Sequence, residues 1–222
     1  MLHAISLFLM TIMVFEPYWI PAGSMKPTLL PGDYILVIPD RAPFARGDVL
    51  VFLHPVTGQD YVKRVIGLPG DTVQMRDGVV ILNGAELPQT PDGEFVEPYT
   101  PAGMSGVIPR CGNNPVPLGG DCRKLRRTET LPDGQSYSVL EIGRMALDNT
   151  PAFTVPADHL FVMGDNRDNS TDSRIGAAAG GVGFVPQANV KGRAVAVAFS
   201  AAGRYLWNPA GWREGRIMEG IR

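Results

Sequence analysis

Short strand-like runs between turn residues constrain this chain more than any other feature. Runs such as "YILVIP" (34–39), "DVLVFLHP" (48–55) and "YVKRVIGL" (61–68) are rich in Val, Ile and aromatic residues, and Pro, Gly or Asp bounds each of them. The 222 residues include 26 glycines and 20 prolines. Beyond the N-terminal segment no stretch shows sustained helical periodicity. We therefore predict a mainly β fold of antiparallel sheets.

The middle of the chain predicts an elaboration of this fold. "TVQMRDGVVILNGAEL" (72–87) predicts successive hairpins, because Asp77-Gly78 and Asn83-Gly84 suit tight turns with positive φ. The stretch that follows is rich in Pro, Gly and polar residues, and its charged run "RKLRRTET" (123–130) is typical of a solvated surface.

These patterns predict four parts of the chain. The predicted parts are an N-terminal anchor over 1–16, a core from 17–71 and 156–205, a partly mobile β-rich insertion over 72–155, and a C-terminal tail over 206–222.

The N-terminal segment "MLHAISLFLMTIMVF" (1–15) is apolar and carries no formally charged side chain. It is shorter than the roughly 20 residues that a helix needs to cross a bilayer. A buried core helix and a cleaved signal peptide both remain open, although a basic start is missing and "PAG" (21–23) is a poor cleavage site. We favour a membrane anchor, which the interfacial residues Pro17, Tyr18, Trp19 and Ile20 would extend.

Charge and cysteine content exclude some functions and suggest one covalent link. The formal charge of −2 and the pI near 5.9 argue against a nucleic-acid partner. Cys111 and Cys122 are the only cysteines, and no histidine pattern accompanies them, so a metal site is not expected. We expect a local disulfide if the domain lies outside the cytoplasm, with two free thiols as the alternative.

A polar stretch follows one of the predicted strands. "FVMGDNRDNSTDSR" (161–174) combines acids, two arginines, two asparagines and three hydroxyl residues. An ordinary surface loop and a calcium site both remain open, because Asp and Asn supply hard oxygen ligands. The stretch lacks the spacing and the closing glutamate of an EF-hand loop, which disfavours calcium.

Ser24 lies between a glycine and a methionine and raises the question of a nucleophile, which would need a base. None of the three histidines, His3, His54 and His159, has an evident orienting carboxylate, although a Ser-His-Asp triad stays open. Lys63 is an alternative base, because burial on its apolar strand would disfavour the charged form. Lys63 and Arg64 point to opposite faces of a strand, and two surface charges are the competing interpretation.

Four stretches in this order resemble the sequence boxes of bacterial type I signal peptidases. The four are "IPAGSMKPTL" (20–29), "RGDVLVF" (46–52), "YVKRVIGLPGD" (61–71) and "GDNRDNSTDSR" (164–174). The resemblance continues through "GFVP" and "GRA" at 183–194. It implies a signal-peptidase-type β-fold and a membrane-bound serine endopeptidase that removes signal peptides from secreted preproteins.

The resemblance also implies a setting. The enzyme would lie at the outer face of the bacterial cytoplasmic membrane and act as a monomer, without a cofactor or metal. Its partners would be signal peptides, the lipid bilayer and the secretion translocon, and not nucleic acid. Trp19, Trp207 and Trp212 are candidates for the membrane interface, because Ser24 is only nine residues from Phe15, at most about 30 Å of extended chain.

The roles carried over by the resemblance centre on two side chains. Ser24 would be the nucleophile, Lys63 the general base, and Ser170 the hydroxyl that hydrogen-bonds and orients the lysine amine. Gly23 would allow close backbone approach, and the Ser24 N–H would donate to the oxyanion. Ala22 stands where many Gram-negative members carry a second hydroxyl donor, so that donor is unidentified.

The resemblance further implies shallow apolar pockets for small substrate residues at −1 and −3, although ordinary core packing is the alternative for each residue. The residues expected around the −1 pocket are Ile20, Pro21, Met25, Leu29 and Val62, and those nearer the −3 pocket are Tyr18, Ile35 and Val51. A supporting network of paired charges is expected from Asp165, Arg167, Asp172 and Arg174, joined by Asp48 and Arg64.

Other functions remain open on the sequence. A conjugation-type maturation peptidase and a self-cleaving repressor protease share Ser/Lys chemistry, but the anchor and the lack of a DNA-binding module disfavour the repressor. A catalytically silent periplasmic β-module that binds signal peptides is a further alternative.

Overall fold

The computed structural model describes residues 15–39, 43–101, 106–202 and 209–221, and strands dominate this part of the chain. The strands are β1 (Glu16–Trp19), β2 (Asp33–Ile38), β3 (Val49–Leu53), β4 (Asp60–Gly67), β5 (Thr72–Arg76), β6 (Val79–Leu82), β7 (Ala85–Glu86), β8 (Gln89–Pro98), β9 (Asp121–Thr130), β10 (Ser136–Glu141), β11 (Phe153–Thr154), β12 (His159–Met163), β13 (Val185–Pro186), β14 (Val190–Ser200) and β15 (Glu219–Gly220). The helices described are all short 3₁₀ helices: Ala146–Asp148, Arg167–Asn169, Ala177–Ala179, Gln187–Asn189, Pro209–Gly211 and Glu214–Arg216.

Three antiparallel sheets organise these strands, which confirms the mainly β prediction. The large sheet runs in the order β1-β2-β14-β3-β4-β12-β13, with β15 paired to β14. Two smaller sheets, β10-β9-β8 and β11-β5-β6-β7, are built from the middle of the chain. The smaller sheets therefore account for the β-rich elaboration that the sequence predicts, whereas its exact boundaries stay a prediction.

The two tight hairpins of the middle region form as predicted. Asp77 and Gly78 have φ values of 46° and 82°, and Asn83 and Gly84 have 53° and 84°. Two consecutive residues with positive φ are what a primed hairpin turn requires. The dipeptides therefore specify how β5, β6 and β7 connect.

The predicted membrane anchor falls on residues 1–14, outside the described residues, and on the two residues after them. No helix among the described residues is long and apolar enough to cross a membrane. The contact of Pro17, Tyr18, Trp19 and Ile20 with the membrane interface, by which they would extend the anchor, stays a prediction. Pro17–Trp19 lie in β1, which pairs with β2, and Ile20 is buried in the core because its side chain packs under the large sheet.

Two of the three apolar clusters among the described residues bear on the site. One contains Ile66 and Phe161 of the large sheet together with Val73, Val80 and other residues of the smaller sheets. The second lies under the N-terminal part of the large sheet, and its buried members are Ile20, Met25, Leu29, Ile35, Val37, Val49, Val51, Ala194 and Val197. The second cluster supports the segment that carries Ser24.

The charged run 123–130 is not simply a solvated surface, and that prediction is wrong at two positions. The run belongs to β9, where alternate side chains point to opposite faces. Lys124 and Glu129 are both buried while Arg123 and Leu125 stay exposed. The two buried side chains are an odd number of residues apart and so lie on opposite faces of β9. Glu129 accepts two hydrogen bonds from Arg167, at 2.5 and 2.9 Å, and so fastens the β8–β10 sheet to the polar stretch 161–174.

The C-terminal segment packs against the start of the large sheet rather than forming a free tail. Arg213 and Arg216 both pair with the fully buried Asp33 at the beginning of β2. Arg216 also donates to the carbonyl oxygen of Thr28 at 2.7 Å. The segment thereby supports the loop that follows Ser24.

The tryptophans expected at the membrane interface have different surroundings. Trp19 is half-buried in β1, and Trp212 is 42 % exposed with its ring edge-on to Phe199. Trp207 lies outside the described residues. Their contact with a membrane stays a prediction.

Candidate active site

The loop that carries Ser24 connects β1 to β2 and is held by the polar stretch 161–174. The Asn166 backbone N–H donates to the carbonyl oxygen of Ser24 at 3.0 Å, and its side-chain amide donates to that of Gly23 at 2.8 Å. Thr28 donates to Asp165 at 2.5 Å. These bonds fix the backbone of the loop that carries the Ser24 hydroxyl.

Lys63 reaches Ser24 from strand β4. Its side chain is 3 % exposed, and its amine donates to Ser24 Oγ at 2.7 Å and to the Val62 carbonyl oxygen at 3.0 Å. The Tyr61 ring lies 5.3 Å from the amine. The structure therefore brings together the two residues that the sequence predicts as nucleophile and base.

The surroundings of Lys63 favour its neutral form. Burial lowers the pKa of Lys63 from 10.5 to about 8, while the carboxylates of Asp172 and Asp165 oppose that shift. An amine with this pKa is partly neutral near physiological pH, and a neutral amine is able to accept the Ser24 proton.

Arg64 points to the other face of β4, as the strand alternation predicts, and it too is fully buried. It forms a bidentate pair with Asp165 at 2.8 and 2.7 Å, donates to the Gly47 carbonyl oxygen at 2.8 Å, and lies over the Tyr137 ring. Although burial disfavours the charge, the Asp165 carboxylate raises the pKa of Arg64. The charged pair fixes the strand behind Lys63.

Within the predicted network of paired charges, Asp172 and Arg174 bind each other, whereas Arg167 binds an acid from another strand. Asp172 binds Arg174 through two bonds of 2.9 Å, and this pair lowers the pKa of Asp172 even though burial raises it. Arg167 pairs with Glu129 of β9 instead of an acid in its own stretch.

Asp48 has contacts with the neighbouring strand β14 and with its own turn. It forms an ion pair with Arg193 of β14 at 3.2 Å and accepts the backbone N–H of Ala45. The neighbouring Gly47 supplies the carbonyl oxygen that Arg64 uses, so the site receives backbone support from this turn.

Ser170 does not form the hydrogen bond to the Lys63 amine that the resemblance implies. Its hydroxyl is buried and lies beside Asp172, whose pKa it helps to lower through a hydrogen bond. The amine is instead bonded to Ser24 and to the Val62 carbonyl oxygen, because β4 directs it there. Ser170 nevertheless lies beside Ser24 across Gly164: a Cβ on Gly164 would lie 2.3 Å from Ser170 Oγ and 2.5 Å from the Ser24 carbonyl oxygen.

Gly164 and Asn166 belong to the site but were not predicted as site residues from the sequence. Any side chain at Gly164 would overlap both Ser170 and Ser24, so only glycine fits there. Asn166 holds the nucleophile loop through two bonds. Both lie inside the box "GDNRDNSTDSR", and their position in that box is the one feature that points to them.

The space beside the Gly23 Cα is filled by the Lys26 side chain and is not open to a substrate. A Cβ on Gly23 would lie 3.0 Å from Lys26 Cε. Lys26 is itself buried, and its amine pairs with Glu97, which also binds Lys124 at 2.5 Å. This arrangement links the nucleophile loop to strands β8 and β9.

A cleft of about 460 Å³ opens beside Ser24 and Lys63. The described residues that line it are Tyr18, Trp19, Ile20, Pro21, Ala22, Gly23, Ser24, Met25, Lys26, Pro31, Val51, Gln59, Asp60, Tyr61, Val62, Lys63, Val107, Ile108, Pro109, Asn169 and Thr171. Six of the eight predicted pocket residues are among them, together with Ala22, which was also expected to contact the substrate; Leu29 and Ile35 are not. Both of these are fully buried in the core cluster under the cleft, because their side chains point into the apolar layer.

The described histidines are engaged away from Ser24. His54 is buried, and its Nδ1 accepts the backbone N–H groups of Val56 and Thr57, each at 3.2 Å. His159 Nδ1 lies 2.7 Å from the Ala157 carbonyl oxygen. His3 lies outside the described residues. Within the described chain, lysine is the base in contact with the serine.

The two cysteines are paired with each other, and the carboxylates considered as calcium ligands bind arginines. Cys111 and Cys122 form a disulfide, as expected for one of the two alternatives. The carboxylates of Asp165 and Asp172 are occupied by Arg64 and Arg174. No group of three or more His, Cys, Asp or Glu side chains suited to a metal occurs in the described part of the chain.

Comparison with known proteins agrees with this geometry. The family model described as "Signal peptidase, peptidase S26" matches residues 1–199. The chain belongs to this family. It is thus a serine endopeptidase of the signal peptidase type, and processing of signal peptides is the activity of the family.

Curated signal peptidases I resemble this family member over most of its length. The signal peptidase I of Rickettsia typhi is 34% identical over 220 residues, which cover 85% of this chain and 74% of the relative. That of Pseudomonas aeruginosa is 35% identical over 204 residues, which cover 82% and 64%. A crystal structure of a signal peptidase I from Enterococcus faecalis has a TM-score of 0.36 and 29% identity, and the match covers 69% of this chain and 98% of that one.

Proposed function

We propose that this peptidase cleaves signal peptides from secreted preproteins with Ser24 as nucleophile and Lys63 as general base. The observation that carries the proposal is the 2.7 Å contact between a buried lysine amine and Ser24 Oγ. A buried amine can lose its proton near neutral pH, which a solvated lysine does not do.

The chemical steps follow from this pair. Neutral Lys63 takes the proton of Ser24 Oγ as that oxygen attacks the carbonyl carbon of the scissile bond. The lysine ammonium then protonates the leaving amine nitrogen, and the C–N bond breaks to leave an ester on Ser24. Water, deprotonated by Lys63, attacks that ester. The lysine ammonium returns the proton to the leaving Ser24 Oγ, and the signal peptide departs as a carboxylic acid that ionises in solvent.

Stabilisation of the developing oxyanion falls to the Ser24 backbone N–H. Asn166 holds the Ser24 carbonyl oxygen, and this bond fixes the orientation of the loop from which the N–H projects. Ala22 lines the cleft but has no side-chain donor. We assign no second donor.

Two unpaired strand edges suit an extended substrate. β1 is the end strand of the large sheet, and β4 pairs with β12 through Arg64, Val65 and Gly67. Among the described residues, the Asp60–Lys63 part of β4 has no strand on that side. A substrate backbone can therefore add to these edges by strand pairing.

The side chains near these edges suit small substrate residues. Ile20, Met25 and Val51 are almost fully buried at the base of the cleft and leave shallow apolar space. We propose that small residues at −1 and −3 enter this space, near Tyr18 and Val62. Larger side chains would collide with a close-packed layer, which resists deformation.

The proposed setting is the outer face of a bacterial cytoplasmic membrane, where the monomer meets preproteins beside the bilayer and the translocon. The apolar sequence of residues 1–15 supports an anchor. The disulfide supports an oxidising compartment, since such bonds persist there.

The function is tested by cleavage of a preprotein in detergent micelles. We expect the wild-type chain to release the signal peptide and the Ser24→Ala variant to release none, because the variant lacks the attacking oxygen. An acylating inhibitor should label the wild type at Ser24 and leave the variant unlabelled. Equal cleavage by the variant, confirmed as folded by circular dichroism, would reject Ser24 as the nucleophile.

The pH dependence of the rate reports the state of Lys63. We expect kcat/KM to rise about tenfold per pH unit below the Lys63 pKa of about 8 and to level off above it, because only the neutral amine acts as base. Initial rates between pH 6 and 10 with one peptide substrate measure this profile. A rate that is constant across that range would contradict a lysine base with a lowered pKa.

A further inference from the structure

One wall of the cleft comes from the β8–β10 part of the chain and not from the large sheet. Val107, Ile108 and Pro109 line the same cleft as Ser24 and Lys63. Val107 is 64 % exposed and Ile108 is 42 % exposed, whereas Pro109 is buried. Two branched aliphatic side chains thus face solvent at the edge of the reacting site.

This segment, residues 107–109, is anchored directly behind the cleft. The Cys111–Cys122 disulfide and the Gly112 N–H bond to the Arg123 carbonyl oxygen, at 2.8 Å, fasten its far end to β9. Arg110 donates to the Asp168 carbonyl oxygen at 2.8 Å. The segment is therefore attached both to a sheet and to the 3₁₀ helix Arg167–Asn169, which ends next to Ser170.

The part of the substrate before the scissile bond already has a place in the proposed function. It pairs with the edges of β1 and β4, and its small side chains enter the apolar space near Ile20 and Val62. The 107–109 segment belongs to neither edge. Lys26, two residues after Ser24, binds Glu97 of β8, in the same sheet to which the disulfide fastens the 107–109 segment.

We propose that residues 107–109 bind the part of the substrate that follows the scissile bond, through apolar contacts with Val107 and Ile108. The inference rests on the proposed function and adds a specificity-determining surface to it. The occupant is an extended early segment of the mature protein with an apolar side chain among its first residues. Such contacts are made equally before and during reaction, so they act on KM more than on kcat.

The test compares two substrates with the same residues before the scissile bond. The first continues into the mature protein, and the second ends in a chromogenic amine directly after the bond. For Ile108→Asp in the full-length chain, we expect KM for the first substrate to rise about tenfold, because a charge replaces an apolar contact. We expect kcat for the first substrate, and both constants for the second, to stay within about twofold of wild type.

A matched control and a milder variant complete the test. Leu118 is 73 % exposed in the same part of the chain and is not among the cleft residues, so Leu118→Asp should leave all constants unchanged. Ile108→Ala should raise KM in the same direction but less. Equal losses on both substrates, or no loss on either, would overturn the inference while wild-type cleavage leaves the proposed function intact. A wild type that cleaves neither substrate would reject the proposed function itself.

Discussion

Replacing Lys63 with methionine is expected to lower kcat/KM by about 10²–10⁴-fold, the usual contribution of a general base. Methionine keeps the apolar stem on β4 but has no nitrogen to accept the Ser24 proton. The amine that it removes lies 2.7 Å from Ser24 Oγ. Single-turnover cleavage of a preprotein, measured with a limit of detection below that loss, provides the check.

The same variant should not be less stable than the wild type at neutral pH. Burial lowers the Lys63 pKa from 10.5 to about 8, so the unfolded chain binds more protons between these values and the charged lysine costs the folded state stability. That cost is about 3 kcal/mol below pH 8 and disappears as the pH rises through 10.5. Lys63→Met removes it.

Denaturant unfolding of the wild type and Lys63→Met at pH 7 and pH 10 separates the chemical role from the structural one. We expect the variant to be inactive at both values and to gain stability mainly at pH 7. An inactive variant that is also strongly destabilised would indicate that Lys63 acts through packing, and an active variant would remove the proposed base.

The second large effect is expected at Asp165. Asp165→Ala should lower the free energy of unfolding by about 3–5 kcal/mol, because it leaves the buried Arg64 charge without its carboxylate. Arg64 is fully buried and bonded to Asp165 through two nitrogens. Thr28, in the nucleophile loop, also loses its acceptor.

A surface pair serves as the control for Asp165→Ala. Glu94 and Arg123 form an ion pair in which both side chains are nearly half exposed. Glu94→Ala should therefore cost less than about 1 kcal/mol. Chemical denaturation of both variants at one pH measures the difference, and similar losses for the two would refute the view that the Arg64–Asp165 pair is an essential buried pair.

Local patterns were sufficient to predict much of the fold. The hairpin dipeptides Asp77-Gly78 and Asn83-Gly84 form the predicted turns, because turn type depends on the φ values of two residues. The Val- and Ile-rich runs became β2, β3 and β4 for the same local reason. The ordered boxes around Ser24 and Lys63 indicated the family, and the family comparison shows it.

Side-chain partners were harder to predict, since they depend on how distant segments pack. The charged run 123–130 gives no sign that Glu129 meets Arg167, because the two are joined only when β9 packs on the polar stretch. The sequence likewise gives no sign that Asp48 pairs with Arg193 of β14. Leu29 and Ile35 could equally be pocket or core on the sequence, and the sheet directs them into the core.

The sequence by itself determined the class of fold, its turns and the family to which the chain belongs, because these depend on local backbone preferences and on the order of short motifs. Only the tertiary structure decided that Lys63 is buried against Ser24, that Ser170 lies beside Asp172, and that residues 107–109 reach the cleft. These features arise from contacts between segments far apart in the chain. Burial and distance, which control the charge of an amine, exist only after those segments have packed.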